Sequence, residues 1–278
     1  MAQTTAQINV VKDGGGTEPF SKAKVENALR RAGLNPKETD EAVKRLIPKL
    51  YDAITTKKIY AILYELIDEM RPEVSHRYNL KRALFEIGPE GYEFEDFIGR
   101  LLSLEGYRTE LRQIVDGRCV SHEVDVIAAK GNKAYMIECK FHNQYGARCR
   151  IQTALYVYAR FLDIKEGAAA GMCRSITHPW LITNTKFSED VIKYAECKGF
   201  PLLGWRYPLK EGLESLIDRN KCYPITVLPM GRDVLGRMLA KKIVTVFDIP
   251  ESAEKLSDMT GIPLAKAKEV VERAEYAR

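Results

Sequence analysis

The stretch HEVDVIAAKGNKAYMIECKFH, residues 122–142, decides the fold of the middle of this chain. Two apolar runs flank Gly131-Asn132, a pair suited to a two-residue hairpin turn. With Lys130 and Lys133 closing the turn, Asp125 stands opposite Glu138. Side chains alternate along a strand, so Glu138, Lys140 and Asp125 share one face. Two facing carboxylates repel, and burying them unpaired costs more. A divalent cation offsets both effects, and Mg²⁺ is commonly held by one or two carboxylates plus phosphate oxygens. Lys140, one strand step away, is placed to polarise or orient the attacking water, the equipment of a phosphodiester hydrolase. From spacing alone, a surface hairpin carrying ordinary charges accounts for the same residues equally well.

Outward from the hairpin, a helix is predicted over about 93–105, with Phe94, Phe97, Ile98, Leu101 and Leu102 as its apolar face. Strands follow near 107–115, 122–129 and 134–141, then a helix over about 151–163. A strand at 180–183, a helix at 188–197 and a strand at 201–204 complete a mixed α/β unit, residues 89–222. Gly88-Pro89-Glu90-Gly91 separates it from a first unit, 1–88, and Tyr223-Pro224 from a last one, 223–278. The first unit opens with a short strand, a glycine turn at 14–16 and a helix capped by Ser21 and closed by Gly33. Helices follow at about 38–52, 56–70 and 73–87, with Thr56 placed to cap the middle one. No internal repeat is visible.

The chain has 278 residues, 45% hydrophobic and 29% charged, which excludes disorder or a fibre. No apolar run is long enough to span a membrane, and the N-terminus lacks the apolar core of a signal peptide, so a cytoplasmic location is expected. The net charge of +5 divides as about +3, +1 and +1 over the three units. No block is basic enough to announce nucleic acid by itself. The cysteines at 119, 139, 149, 173, 197 and 222 form no CxxC pair, which argues against a zinc ribbon.

Asp125 followed by Glu138-Cys139-Lys140 resembles the PD-(D/E)xK nuclease motif, and the middle unit is similar to the Mrr-like restriction endonucleases. The likeness runs through Phe94-Glu95-Asp96-Phe97, Val124-Asp125-Val126-Ile127, Ile137-Glu138-Cys139-Lys140, Leu181-Ile182-Thr183-Asn184 and the helix Phe187 to Gly199. It implies a restriction-endonuclease-like mixed sheet flanked by helices. It also implies Asp125 and Glu138 as ligands of Mg²⁺ or Mn²⁺, Lys140 as the residue that positions water, Glu95 as an extension of the acidic cluster, and Gln152 as an orienting side chain.

The segment VVKDGGGTEPFSKAKVENALRRAGL, residues 10–34, resembles the ATP-cone, a nucleotide-sensing module of ribonucleotide reductases and their repressor. A helix N-terminus with lysines nearby suits phosphate. The resemblance implies that Lys12 and Lys24 touch the phosphates of ATP or dATP, that Val11, Glu18, Pro19 and Phe20 surround base and sugar, and that Thr56 and Arg82 assist. The family usually has Lys-Arg-Asp-Gly at the turn. Here Asp13 stands where the arginine belongs, which removes a cation and adds an anion.

Leu239 to Val246 and Thr260-Gly261-Ile262-Pro263 resemble a helix-hairpin-helix module, with an incomplete hairpin. The three resemblances together imply a Mg²⁺-dependent DNA endonuclease set by ATP or dATP, acting as a dimer or higher homo-oligomer because double-strand cleavage needs two sites. A nucleotide-gated DNA-binding regulator without cleavage is the rival.

Overall fold

The computed structural model describes residues 8–12, 15–88, 91–144 and 146–278. Asp13, Gly14, Pro89, Glu90 and Tyr145 lie outside the described residues, so the Asp13 departure has no structural reading. Contacts divide the chain into two compact units, 1–81 with 275–277 and 82–274 with 278.

In the first unit, β1 (Asn9–Val11) pairs antiparallel with β2 (Thr17–Pro19), Val10 opposite Glu18. Helix α1 (Lys22–Ala32) starts where Ser21 Oγ accepts the Lys24 N–H, and it stops at Gly33, whose φ of 108° suits glycine. Helix α2 (Pro36–Leu46) begins with a capping box between Asn35 and Glu38. It is shorter than the expected 38–52: Pro48 lacks the N–H a continuing helix needs, and Ile47–Lys49 forms a 3₁₀ turn. Strand β3 (Ile54–Thr55) lies parallel to β1. Thr55, not Thr56, caps helix α3 (Thr56–Met70) by accepting the Lys58 N–H. The Thr56 hydroxyl instead donates to the Val11 carbonyl at 3.2 Å, tying the helix to the sheet. Helix α4 (Pro72–Phe85) follows. Leu29, Ala42, Leu46, Ile54, Leu63, Leu66 and Ile67 close a core that excludes water.

The second unit is built on a five-stranded sheet. Helix α5 (Tyr92–Leu104) leads into β4 (Arg108–Asp116), β5 (Ser121–Lys130) and β6 (Lys133–Lys140), an antiparallel meander. A short strand β7 (Arg148–Cys149), helix α6 (Ile151–Ala169), β8 (His178–Thr183), β9 (Lys186–Phe187), α7 (Glu189–Lys198) and β10 (Leu202–Leu203) follow. The sheet order is β10-β8-β6-β5-β4, with β6, β8 and β10 parallel, and β7 pairs with β9 apart from it. The β5–β6 register runs from Lys130↔Lys133 to Val126↔Ile137, as the hairpin reading expected. One face of the hairpin carries Ile127 and Met136, which pack with Phe161 and Ile164 of α6. Glu138 is two residues along from Met136 on β6, so it points to the same side, toward α6, where Arg160 meets it. That helix runs beyond the expected 163, as far as Ala169. Its Gly167 allows a close approach: a Cβ there would stand 2.7 Å from the Asp116 carbonyl oxygen.

Helices α8 (Leu213–Asn220), α9 (Arg232–Ala240), α10 (Ala253–Thr260) and α11 (Leu264–Ala277) complete the chain. Here the structure corrects the sequence reading, because an internal duplication is present. Left-handed Lys221 and Lys242 (φ 50° and 58°) and the 3₁₀ turns 225–227 and 246–248 recur with one offset. Helices starting at 232 and 253 keep that offset of 21 residues. The two copies are laced by reciprocal bonds, Ile225 N–H to Val244 O and Val246 N–H to Tyr223 O. Few identical residues survive besides Pro229 and Pro250, Leu235 and Leu256, and Met238 and Met259, so the repeat hides in sequence. The expected hairpin is present as Gly261-Ile262-Pro263 between α10 and α11, with Gly261 at φ 69°.

Candidate active site and nucleotide pocket

The ladder between β5 and β6 gives way at Asp125. The Cys139 N–H is donated to Asp125 Oδ2 at 2.7 Å, which leaves Oδ1 for another partner. Burial, then the neighbouring Glu138 carboxylate, push the Asp125 carboxyl up to about 7. Glu95, on the first turns of α5, adds to the same field, and its own carboxyl is raised by burial. Asp125, Glu138 and Glu95 thus lie close enough for their carboxylates to act on one another. Lys140 is exposed at the end of β6, one step beyond Glu138 on the same face. Gln152 is exposed in the first turn of α6, and among the described residues it makes no hydrogen bond to the cluster.

Two arginines hold the cluster, and the sequence reading named neither. Arg112 bridges Glu95 (3.2 Å) and Asp96 (2.6 Å). Arg160 of α6 is 7% exposed and donates to Glu138 Oε2 at 2.6 Å and to the Glu123 carbonyl. The signal for Arg160 was present: it falls with Val157, Phe161 and Ile164 on the apolar face of α6, where an unpaired charge is not tolerated. His142, beyond Lys140, donates its main-chain N–H to Asn184 Oδ1 at 2.9 Å, and burial lowers the basicity of its ring.

The donor set suits a divalent cation held partly by substrate. Among the described residues, no three His, Cys, Asp or Glu side chains converge enough to cage an ion alone. Two adjacent carboxylates do converge, and the raised Asp125 registers charge for which a cation is the natural complement. Hard ions such as Mg²⁺ accept two carboxylates and fill the remaining positions with water and phosphate oxygens.

A second site lies in the first unit, a cleft of about 190 Å³. Five of the residues expected there line it: Glu18, Pro19, Phe20, Lys24 and Thr56. Val11 and Lys12 are beside them on β1 and its turn. Glu18 Oε2 takes both Lys12 (2.7 Å) and Lys24 (2.9 Å), and these hydrogen bonds hold its carboxyl below the usual range. Arg82 is not in the lining and pairs with Glu86 at 2.8 Å. The sequence reading missed the apolar wall: Val10, Ile59, and the rings of Tyr60 and Tyr78, 5.4 Å apart. Tyr78 is buried enough to raise its hydroxyl well above the ordinary value. Tyr60 was legible as one turn beyond Thr56; Tyr78 comes from a different helix, which only the fold brings near.

Residues 8–84 match the family described as ATP cone domain, and residues 89–203 match the family described as restriction endonuclease. An uncharacterized protein of Archaeoglobus fulgidus is 40% identical over 178 residues, which are 64% of this chain and 98% of that relative. A crystal structure of a protein of unknown function aligns with a TM-score of 0.58 at 40% identity, over 66% of this chain and 96% of that one. Among the described residues, no helix is long and apolar enough to cross a membrane.

Proposed function

Because the chain joins an ATP cone domain to a restriction endonuclease domain, and belongs to one family with the Archaeoglobus fulgidus protein, we propose that it is a Mg²⁺- or Mn²⁺-dependent DNA endonuclease regulated by ATP or dATP. The observation that carries the reading is the Asp125–Glu138 pair on the neighbouring strands β5 and β6, with Lys140 one step beyond Glu138. Asp125 and Glu138 hold the cation, and Glu95 deepens the negative field that attracts it. When bound, the ion supplies a lowered pKa for the attacking water and countercharge for the phosphodiester. Lys140 orients that water by hydrogen bonding, and Gln152 assists from α6. In the first unit, Lys12 and Lys24 exchange Glu18 for the nucleotide's phosphates, and Phe20, Pro19, Tyr60 and Tyr78 enclose the base. The Thr56 hydroxyl, donated to the Val11 carbonyl, ties α3 to β1 next to that cleft. The active form is a cytoplasmic homo-oligomer, since both strands must be cut, and the chain reads as domains 1–88, 89–222 and a helix-hairpin-helix-like 223–278.

The test is cleavage of supercoiled plasmid by the full chain with Mg²⁺, Mn²⁺ or EDTA, each with and without ATP or dATP. Metal-dependent cutting that Asp125→Ala abolishes supports the enzyme, and a nucleotide effect supports the regulation. DNA binding with no cutting of plain, methylated or branched DNA would replace it with the regulator.

A further inference from the structure

Every acid of the cluster, and Asp96 beside it, is partnered. Glu95 and Asp96 share Arg112, Asp125 has the Cys139 N–H, and Glu138 has Arg160. The Arg160 arrangement has three features of a fixed charge. The guanidinium is almost wholly buried, two of its nitrogens donate to Glu138 and the Glu123 carbonyl, and its Cζ lies 5.0 Å from the Tyr156 ring centroid. Its Nε is buried with no hydrogen-bond partner among the described residues. A lost donor costs free energy, so the side chain is held here by Glu138 rather than by complete satisfaction of its own N–H groups. Arginine does not lose its proton inside proteins, so this positive charge is permanent.

A divalent cation on Asp125 and Glu138 would share with Arg160 the carboxylate whose Oε2 already accepts the guanidinium at 2.6 Å. We propose that Arg160 is the resident counter-ion of Glu138, against which an incoming divalent cation competes for that carboxylate. The inference rests on the metal-dependent reading of Asp125 and Glu138. Without the ion, Arg160 keeps Glu138 in place; as the ion arrives, the arginine gives it up, so the arginine sets the cation concentration at which the site fills.

Calorimetric titration of Mn²⁺ into the full chain, without DNA or nucleotide, tests this directly. Arg160→Gln and Arg160→Met are expected to bind Mn²⁺ at least tenfold more tightly than wild type. Arg160→Lys, which keeps the charge, stays near wild type, and Asp125→Asn abolishes binding in every background. A purely structural arginine predicts the opposite sign, weaker binding as Glu138 loses its place. Equal or weaker binding in both neutral variants overturns the proposal while leaving an Asp125-dependent metal site standing. No Asp125-dependent binding in any of the proteins overturns both. A second measurement needs no change at Arg160: its Nε–H resonance in wild type shifts on saturation with Mg²⁺ and stays fixed in Asp125→Asn. An unmoved resonance in Mg²⁺-saturated wild type overturns the exchange even where the neutral variants do not fold.

Discussion

The Asp125 carboxylate accepts the Cys139 main-chain N–H at 2.7 Å, so a side chain takes the place of a strand carbonyl beside Glu138. This one bond fixes the acid against its neighbour while burial and that neighbour raise its proton affinity.

Asp125→Asn keeps an acceptor for the Cys139 N–H and removes the charge. The folded carboxyl stands near 7, above its unfolded value of about 3.9. A group raised on folding contributes stability that is fully present below about pH 4 and lost as pH rises toward 7. In EDTA, wild type therefore loses thermal stability from pH 4 to 8 relative to Asp125→Asn, by up to a few kcal/mol at about 1.4 kcal/mol per pKa unit. Thermal unfolding of both proteins across that range checks the sign. Equal slopes contradict it.

Asp163 behaves in the opposite sense. It takes His122 Nε2 at 2.7 Å and the main-chain N–H groups of Cys119 and Val120, and it closes the β4–β5 loop against α6. The His122 bond, then the Cys119 and Val120 bonds, hold its carboxyl down to about 2. A depressed carboxyl stabilises the fold above its unfolded pKa, and that contribution disappears as pH falls from about 4 toward 2. Asp163→Ala is expected to melt lower than wild type at pH 7, with the gap shrinking near pH 2.5. A gap that persists at low pH contradicts the account.

The middle of the fold was legible because its signals are local. Gly131-Asn132 between apolar runs fixes the register as far as Val126 opposite Ile137, and from there the Asp125 side chain reaches the Cys139 N–H beside Glu138. Ser21 and Gly33 mark α1 by cap chemistry that needs no tertiary context. What was missed depends on elements meeting across the chain. Arg160 gains meaning only once α6 covers the hairpin face, and Tyr78 only once α4 lies beside α3. The duplication in the last third is held by main-chain bonds between copies, which tolerate nearly any side chain and so leave little trace in sequence.

Gly167 tests whether α6 must sit close to the sheet. A Cβ there would lie 2.7 Å from both the Asp116 carbonyl oxygen and the Gly117 carbonyl carbon, backbone atoms with no side chain to swing aside. Gly167→Ala should cost about 1–3 kcal/mol, the range for overpacking, and reduce cleavage by shifting the helix that carries Arg160. Chemical denaturation alongside plasmid nicking checks both effects.

In the nucleotide cleft, Lys24→Ala should weaken ATP binding by about 1.5–3 kcal/mol, the scale of hydrogen bonds to a charged group. AMP, with one phosphate, should lose less. Fluorescence titration of both nucleotides against the variant and wild type gives the comparison, and equal losses would remove Lys24 from the phosphate site.

The central claim is that the carboxylates bind the ion while Lys140 serves the chemistry. The most direct measurement pairs Mn²⁺ affinity with the rate of plasmid nicking in Lys140→Ala. The account predicts ion binding within a fewfold of wild type and nicking slower on the order of 10²–10⁴-fold, the usual contribution of a positioned group acting on a transferring proton. Nicking at the wild-type rate by a variant that binds the ion normally would contradict it.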